Sequence, residues 1–109
     1  GLRPAECCCF YGWPIFTVAT APGANTSMAE QTAATLALLD QHLADAGSSR
    51  DQILSATIYV TDINAKPAMD GVWCEWIGAP EHWPQRACVQ AALAAHTLVE
   101  ITLIATRAN

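Results

Sequence analysis

The fold is decided by the segment Pro84-Gln85-Arg86-Ala87-Cys88-Val89-Gln90 and the later Leu98-Val99-Glu100-Ile101, which place one arginine and one glutamate in two apolar runs. Residues 98–106 are rich in β-branched residues, which is typical of a strand. Because only residues 94–97 separate the two runs, we expect them to pair as antiparallel neighbours. Residues 86–93 alternate like a strand, with one face formed by Ala87, Val89, Ala91 and Leu93.

Arg86 and Glu100 are the charged residues of these two predicted strands. A guanidinium is a planar fork that matches the geometry of a carboxylate. A glutamate in an apolar strand costs free energy unless it is paired or hydrogen-bonded, so it indicates a polar cleft. Two interpretations stay open from spacing alone. The residues either contribute to a binding cleft, or they form a structural ion pair or lie singly at exposed strand edges.

The preceding half of the chain predicts a hairpin, a helix and a strand. Short apolar runs at residues 7–11 and 15–19 flank Gly12-Trp13-Pro14, a pattern typical of a β-hairpin. Ser27 and Glu30 have the spacing of a capping box, and Gly47 suits the residue after a helix end, so we expect a helix over residues 28–46. Residues 54–60 alternate like a half-buried strand.

A second helix is predicted before the final two strands. Asn64 can cap it, Pro67 falls in its first turn and Gly78 ends it. Its apolar face comprises Met69, Val72, Trp73, Trp76 and Ile77. The element order predicts one α+β domain over residues 1–109, with a mixed sheet and both helices on one face. The other face must then meet water or another chain.

Composition and charge exclude several classes of function. The 109 residues carry a formal charge of −5, which argues against a general nucleic-acid binder. No apolar run approaches 18 residues, and the first ten residues lack the features of a signal peptide. The five cysteines lack Cys-x-x-Cys spacing, and the histidines are scattered. We therefore expect reduced thiols, a cytoplasmic protein, no membrane association and no metal site.

The ordered set of motifs resembles the Rid (reactive intermediate deaminase, or YjgF) family, in particular its YoaB-like branch. The pattern Pro-x-Arg-x-Cys-Val-x-x-x-Leu starts at Pro84 and is followed by Val-Glu-Ile at residues 99–101. Upstream, the likeness includes Glu30-Gln31-Thr32, Ala46-Gly47-Ser48-Ser49 and Met69-Asp70-Gly71-Val72-Trp73. It covers roughly residues 28–106.

The resemblance implies a chorismate-mutase-like fold and a homotrimer whose open sheet faces form a barrel-like centre, with active clefts between subunits. It also implies hydrolysis of 2-imino acids, of the 2-iminobutanoate and 2-iminopropanoate type, to 2-keto acids and ammonia without a cofactor. Arg86 would bind the substrate carboxylate, Cys88 would line the cleft with its backbone, and Glu100 would orient or activate water.

Two residues depart from the family pattern. The family glycine of a Ser-Gly-Gln-like segment corresponds to Ala19, within Thr17-Val18-Ala19-Thr20, and its added methyl is expected to narrow the cleft or change the backbone angle. The family asparagine after the methionine corresponds to Asp70, whose carboxylate would oppose an anionic substrate. Thr17, Ala19 and Asp70 are thus candidate substrate-binding residues beside Arg86.

Three functions are compatible with these observations. An imine deaminase is favoured by Arg86. A non-catalytic module that binds small carboxylates is the alternative, because of Ala19 and Asp70. An endoribonuclease or translation inhibitor is the third, and the acidic charge opposes it.

Overall fold

The computed structural model describes residues 13–107. This range forms four strands and two α-helices, in the order β1 (Ile15–Thr20), α1 (Met28–Asp45), β2 (Ile53–Val60), α2 (Lys66–Ile77), β3 (Gln85–Gln90) and β4 (Val99–Ala105). The predicted α+β class and both helices are confirmed. The first half of the predicted hairpin, residues 7–11, lies outside the described residues. Within residues 13–107, neither α-helix combines the length and the hydrophobicity that a membrane span requires.

Local hydrogen bonds fix both ends of α1, as its sequence predicts. The Ser27 hydroxyl accepts from the Glu30 N–H at 3.1 Å, and Glu30 Oε1 accepts from the Ser27 N–H at 2.9 Å. At the other end, the Ser48 N–H donates to the Leu43 carbonyl at 2.8 Å. Gly47 has a φ of 78°, a conformation that costs glycine little, so the chain reverses direction there.

The start of α2 differs from the prediction that Asn64 caps it. A 3₁₀ turn, Ile63–Ala65, leads directly into the helix, and its N-cap residue Asp62 accepts from the Asn64 N–H at 2.9 Å. The carbonyl of Ile63 accepts from the Lys66 N–H, so the turn itself serves the first helical donors. The predicted first-turn Pro67 and the end at Gly78 are confirmed.

The predicted pairing of the last two strands is wrong. The sheet order is β1-β4-β2-β3, so β2 separates β3 from β4. Strand β3 runs parallel to β2, and β4 runs antiparallel to both β2 and β1. Strand β3 ends at Gln90 rather than at residue 93, which leaves residues 91–98 to pass over the end of β2. Eight residues are long enough for that passage, whereas four would favour a direct hairpin.

The two helices cover one face of the sheet and leave the other open. Alternate residues of β4 are buried under the helices, whereas Glu100 and Thr102 between them are half-buried on the opposite face. The open face also carries Phe16, Val18 and Val89, which are 71%, 52% and 45% exposed. The predicted face of β3 that contains Ala87 and Val89 therefore points away from the core of a single chain.

Candidate carboxylate-binding site

Arg86 lies on the edge strand β3 and points toward α2. Its guanidinium carbon is 5.7 Å from the centre of the Trp73 ring, and its Nη1 is 4.0 Å from the sulfur of Met69. Both partners are buried residues of the apolar face of α2. A cation above an indole ring is stabilised by the ring quadrupole, so this packing fixes the orientation of the arginine.

Asp70 connects Arg86 to a second cation, Lys66. Nη2 of Arg86 is 2.8 Å from Oδ1 of Asp70, and Nζ of Lys66 is 2.6 Å from Oδ2. Lys66 and Asp70 are four residues apart on α2, the spacing at which helical side chains meet. Two cations therefore share one carboxylate, and this Lys66–Asp70–Arg86 cluster keeps a net positive charge near neutral pH.

The Asp70 carboxyl group is held in its ionised form. Burial by itself would raise its pKa, but the hydrogen bond from Lys66 and the charge of Arg86 outweigh burial and lower the pKa below its ordinary value. Its Oδ1 is buried and accepts no well-aligned hydrogen bond among the described residues, so the contact with Arg86 is an ion pair. The carboxylate that we expect to oppose an anionic substrate therefore lies directly against Nη2 of Arg86.

Cys88 lies two residues after Arg86 and faces the same side of the sheet. Its side chain is half-buried and packs against the core. Burial raises the pKa of the thiol above its ordinary value, although Lys66 and Arg86 act in the opposite direction. The thiol is therefore neutral near pH 7, which is unsuitable for a nucleophile.

Glu100 lies apart from this cluster in the chain. It is on β4, where it pairs in register with Thr20 of β1 and Tyr59 of β2. Its side chain is on the open face, whereas that of Arg86 is on the face covered by helices. The predicted alternative of an Arg86–Glu100 ion pair is therefore wrong, because Arg86 pairs with Asp70 instead.

Thr17 and Ala19 lie on β1, at the opposite edge of the sheet from Arg86. Three strand spacings separate these edges, or roughly 14 Å. The Thr17 hydroxyl forms a 2.8 Å hydrogen bond with Nδ1 of His42 on α1, and Ala19 is buried. Among residues 13–107, the non-glycine residues with positive φ are Asn25 and His96, so Ala19 has no strained backbone.

The structure thus brings together three of the predicted site residues, Arg86, Cys88 and Asp70. The other three, Thr17, Ala19 and Glu100, do not contact this cluster within one chain. It also adds two residues that sequence reasoning did not place in the site, Lys66 and Trp73. The Lys66–Asp70 spacing along a helix was a usable signal for the first. No sequence signal distinguishes Trp73 from an ordinary core tryptophan.

Fold and site define a small α+β domain with a cationic cluster suited to an organic anion. Its sequence matches the model of the family described as Endoribonuclease L-PSP over residues 17–107, and the chain belongs to that family. The YoaB protein of Escherichia coli, a RutC family protein, is 47% identical over 64 residues. The similarity to the YjgF family and to its YoaB-like branch is thereby confirmed.

Solved structures share the fold over most of the chain. A YjgF-family protein from Neisseria meningitidis is 39% identical with a TM-score of 0.82, and the match covers 88% of this chain and 81% of that one. The E. coli protein TdcF, solved with bound serine, is 25% identical with a TM-score of 0.78, over 90% and 84% of the two chains. The match with YoaB covers 59% of this chain and 55% of YoaB. The match with a RutC family protein of Haemophilus influenzae covers 66% of that protein, so the chain spans only part of the length of both relatives.

Proposed function

We propose that this protein hydrolyses 2-imino acids to 2-keto acids and ammonia, with Arg86 as the anchor for the substrate carboxylate. One observation carries the proposal. Among the described residues, the Arg86 guanidinium forms an ion pair with Oδ1 of Asp70 through Nη2 and contacts the sulfur of Met69 through Nη1. Nε makes no hydrogen bond to these residues, and Nη2 carries two N–H groups, so a carboxylate can bind the edge formed by Nε and Nη2 with two parallel hydrogen bonds while Nη2 keeps its contact with Asp70.

The surroundings of Arg86 favour an anion with one negative charge. Asp70 neutralises part of the charge of Arg86 and Lys66, and the remaining positive charge matches one carboxylate. The side chain of Arg86 is 22% exposed, so a ligand can reach it while solvent screening stays partial. Arg86 therefore supplies binding and orientation, and the reaction requires only water besides the substrate.

Hydrolysis of the imine requires few protein groups beyond the arginine that holds the substrate. Water adds to the electrophilic carbon of the C=N bond to give a tetrahedral carbinolamine. The C–N bond then breaks, ammonia leaves, and the C=O bond of the 2-keto acid forms. An acid–base group must move protons between the oxygen and the nitrogen, and Glu100 is our candidate. The neutral thiol of Cys88 is assigned no covalent step.

Because Glu100 and Arg86 lie on opposite faces of one sheet, we propose that two chains complete each site. A homotrimer joined through the open face would bring a second chain close to the edge strand β3. The apolar residues exposed on that face, Phe16, Val18 and Val89, support such an assembly. The side chains of Thr17 and Ala19 face α1, so these residues of the neighbouring chain would reach the cleft only through their backbone, at the free edge of β1.

A relative supports a ligand of this class. TdcF was solved with serine, an amino acid with a carboxylate on the carbon that carries its nitrogen. A 2-imino acid has the same arrangement of carboxylate and nitrogen. The proposal for this chain is that Arg86 binds the carboxylate of such a compound.

The decisive experiment measures ammonia release from 2-imino acids generated in the assay by an amino-acid oxidase. The wild-type protein should accelerate release above the rate in water, and Arg86→Ala should lose most of that acceleration. Leu38→Ala, a change at an exposed site on the outer surface of α1, is the matched control and should keep full activity. Equal rates for the wild type and Arg86→Ala would disprove the assignment.

A non-catalytic carboxylate-binding module is the second candidate, because Glu100 is remote from Arg86 within one chain. It predicts binding of 2-keto acids that depends on Arg86, with no ammonia release from any imine. RNA cleavage, which the family description names, receives no support from a chain with a net charge of −5.

A further inference from the structure

A small cavity opens directly beside Arg86. It has a volume of about 140 Å³ and is lined by Trp73, Cys74, Trp83, Pro84 and Arg86. Two tryptophans and a proline are among its five lining residues, and the arginine is the charged one. An engineered apolar cavity of roughly 150 Å³ holds a benzene molecule, so this cavity has the size of one aromatic ring.

Trp83 is held in place by the end of α2 although it is mostly exposed. Trp83 is 57% exposed, and Nε1 of its indole donates to the carbonyl of Gly78 at 2.9 Å. Gly78 is the residue that ends α2, with a φ of 80°. The polar end of the indole is thus satisfied by backbone, and its apolar surface remains available, which is typical of an aromatic wall in a binding site.

The cationic group and the aromatic residues lie side by side, in the arrangement that would match the carboxylate and the ring of an aromatic acid. A carboxylate on the edge of Arg86 formed by Nε and Nη2 places the rest of the ligand near the cavity that Arg86 itself lines. Nη1 lies 4.0 Å from the sulfur of the buried Met69, so the edge that includes Nε is the one open to a ligand. Trp73 contacts Arg86 and also lines the cavity, so one indole borders both parts of the ligand.

We propose that this cavity is the side-chain subsite of the protein and that it selects 2-imino and 2-keto acids with an aromatic side chain. The inference rests on the proposed function in that the carboxylate is anchored by Arg86. It adds Trp83 as a residue that determines specificity.

The test compares phenylpyruvate with pyruvate, two 2-keto acids that differ by one phenyl ring. Burying an aromatic ring corresponds to roughly ten- to a hundredfold in affinity, so phenylpyruvate should bind that much more tightly by calorimetry. Trp83→Ala should weaken phenylpyruvate binding by about tenfold and leave pyruvate within about twofold, since only the ring loses a contact. Trp83→Phe should keep most of the preference. Arg86→Lys should weaken both acids alike.

Equal affinities for the two acids in the wild type, or equal losses for both in Trp83→Ala, would overturn the subsite. These outcomes are separate from the fate of the proposed reaction. Hydrolysis of imines without an aromatic preference would support the proposed reaction and contradict the subsite. Binding of phenylpyruvate through Trp83 without hydrolysis of any imine would support the subsite and contradict the proposed reaction.

Cys74 provides a second measurement, because it lines the same cavity and is exposed. Phenylpyruvate should slow the alkylation of Cys74, followed by peptide mass spectrometry, and pyruvate at the same fractional saturation should slow it less. In Trp83→Ala the protection by phenylpyruvate should be lost at the concentration that protects the wild type. Unchanged alkylation at saturating phenylpyruvate would place the ring elsewhere and overturn the proposal.

Discussion

Arg86 and Asp70 join the edge strand of the sheet to its covering helix, with Nη2 of Arg86 2.8 Å from Oδ1 of Asp70. The pair turns the arginine toward α2 and away from the open face that carries Glu100. Under the proposed function, a substrate carboxylate would meet an arginine that already has one anionic partner. The predictions below test how Asp70 and a bound carboxylate would share the guanidinium of Arg86.

Replacement of Arg86 by lysine should be nearly as damaging as replacement by alanine. Lysine keeps the charge and loses the planar fork. Hydrogen bonds to charged groups contribute about 1.5–3 kcal/mol, so we expect a loss of roughly ten- to a hundredfold in kcat/KM. Steady-state kinetics on freshly generated imino acids measure the loss. Full activity in Arg86→Lys would show that charge alone is sufficient.

Replacement of Asp70 by asparagine should raise affinity for small carboxylates. The change removes the anion that neutralises Arg86 and Lys66, so an incoming carboxylate meets more positive charge. Calorimetric titration with pyruvate should show Kd lowered several-fold, with the largest difference at low ionic strength. Asp45→Asn, at an exposed carboxylate on α1, is the matched control. Weaker binding in Asp70→Asn would mean that Asp70 mainly orients Arg86.

Asp70 should also make stability depend on acidity. Its pKa is lowered in the folded state, so its ionised form stabilises the fold above the ordinary pKa of 3.8 and this contribution disappears as pH falls through the lowered value. The free energy of unfolding of the wild type should exceed that of Asp70→Asn by an amount on the order of 1 kcal/mol at pH 6. Urea unfolding at pH 6 and below pH 3 should show the difference shrinking, and a constant difference would contradict the role of Asp70.

Replacement of Cys88 by alanine should have little effect on the reaction. Burial raises the pKa of the thiol, so it is neutral near pH 7 and the proposed mechanism uses no thiolate. We expect kcat/KM within about threefold of the wild type, with the change confined to packing. A loss of a hundredfold or more in a folded variant would indicate chemistry at the sulfur.

A charge on the open face should break the proposed trimer. Val18→Asp places a carboxylate on a face that the assembly would bury, where an unpaired charge is costly. Light scattering should give a trimer for the wild type and a monomer for the variant, with circular dichroism unchanged. Leu38→Asp, at an equally apolar and 42% exposed site on α1, should stay trimeric. A monomeric wild type at micromolar concentration would contradict the assembly.

The sequence by itself determined the elements whose stabilising contacts are local. The two ends of α1 are defined by hydrogen bonds within a few residues, at Ser27, Glu30 and Gly47, so the spacing of these residues was sufficient to predict both ends. The apolar face of α2 follows from periodicity for the same reason. Arg86 was identifiable as a candidate because its charge is conspicuous in an apolar strand.

Only the tertiary structure decided which strands are neighbours and which charges meet. The last two strands are close in sequence, yet β2 lies between them, because its parallel pairing with β3 uses the crossover through α2. The partner of Arg86 is Asp70 rather than Glu100, because Arg86 and Glu100 lie on opposite faces of the sheet. Strand order and facing depend on contacts between distant residues, and the periodicity of a single strand carries no information about its neighbours.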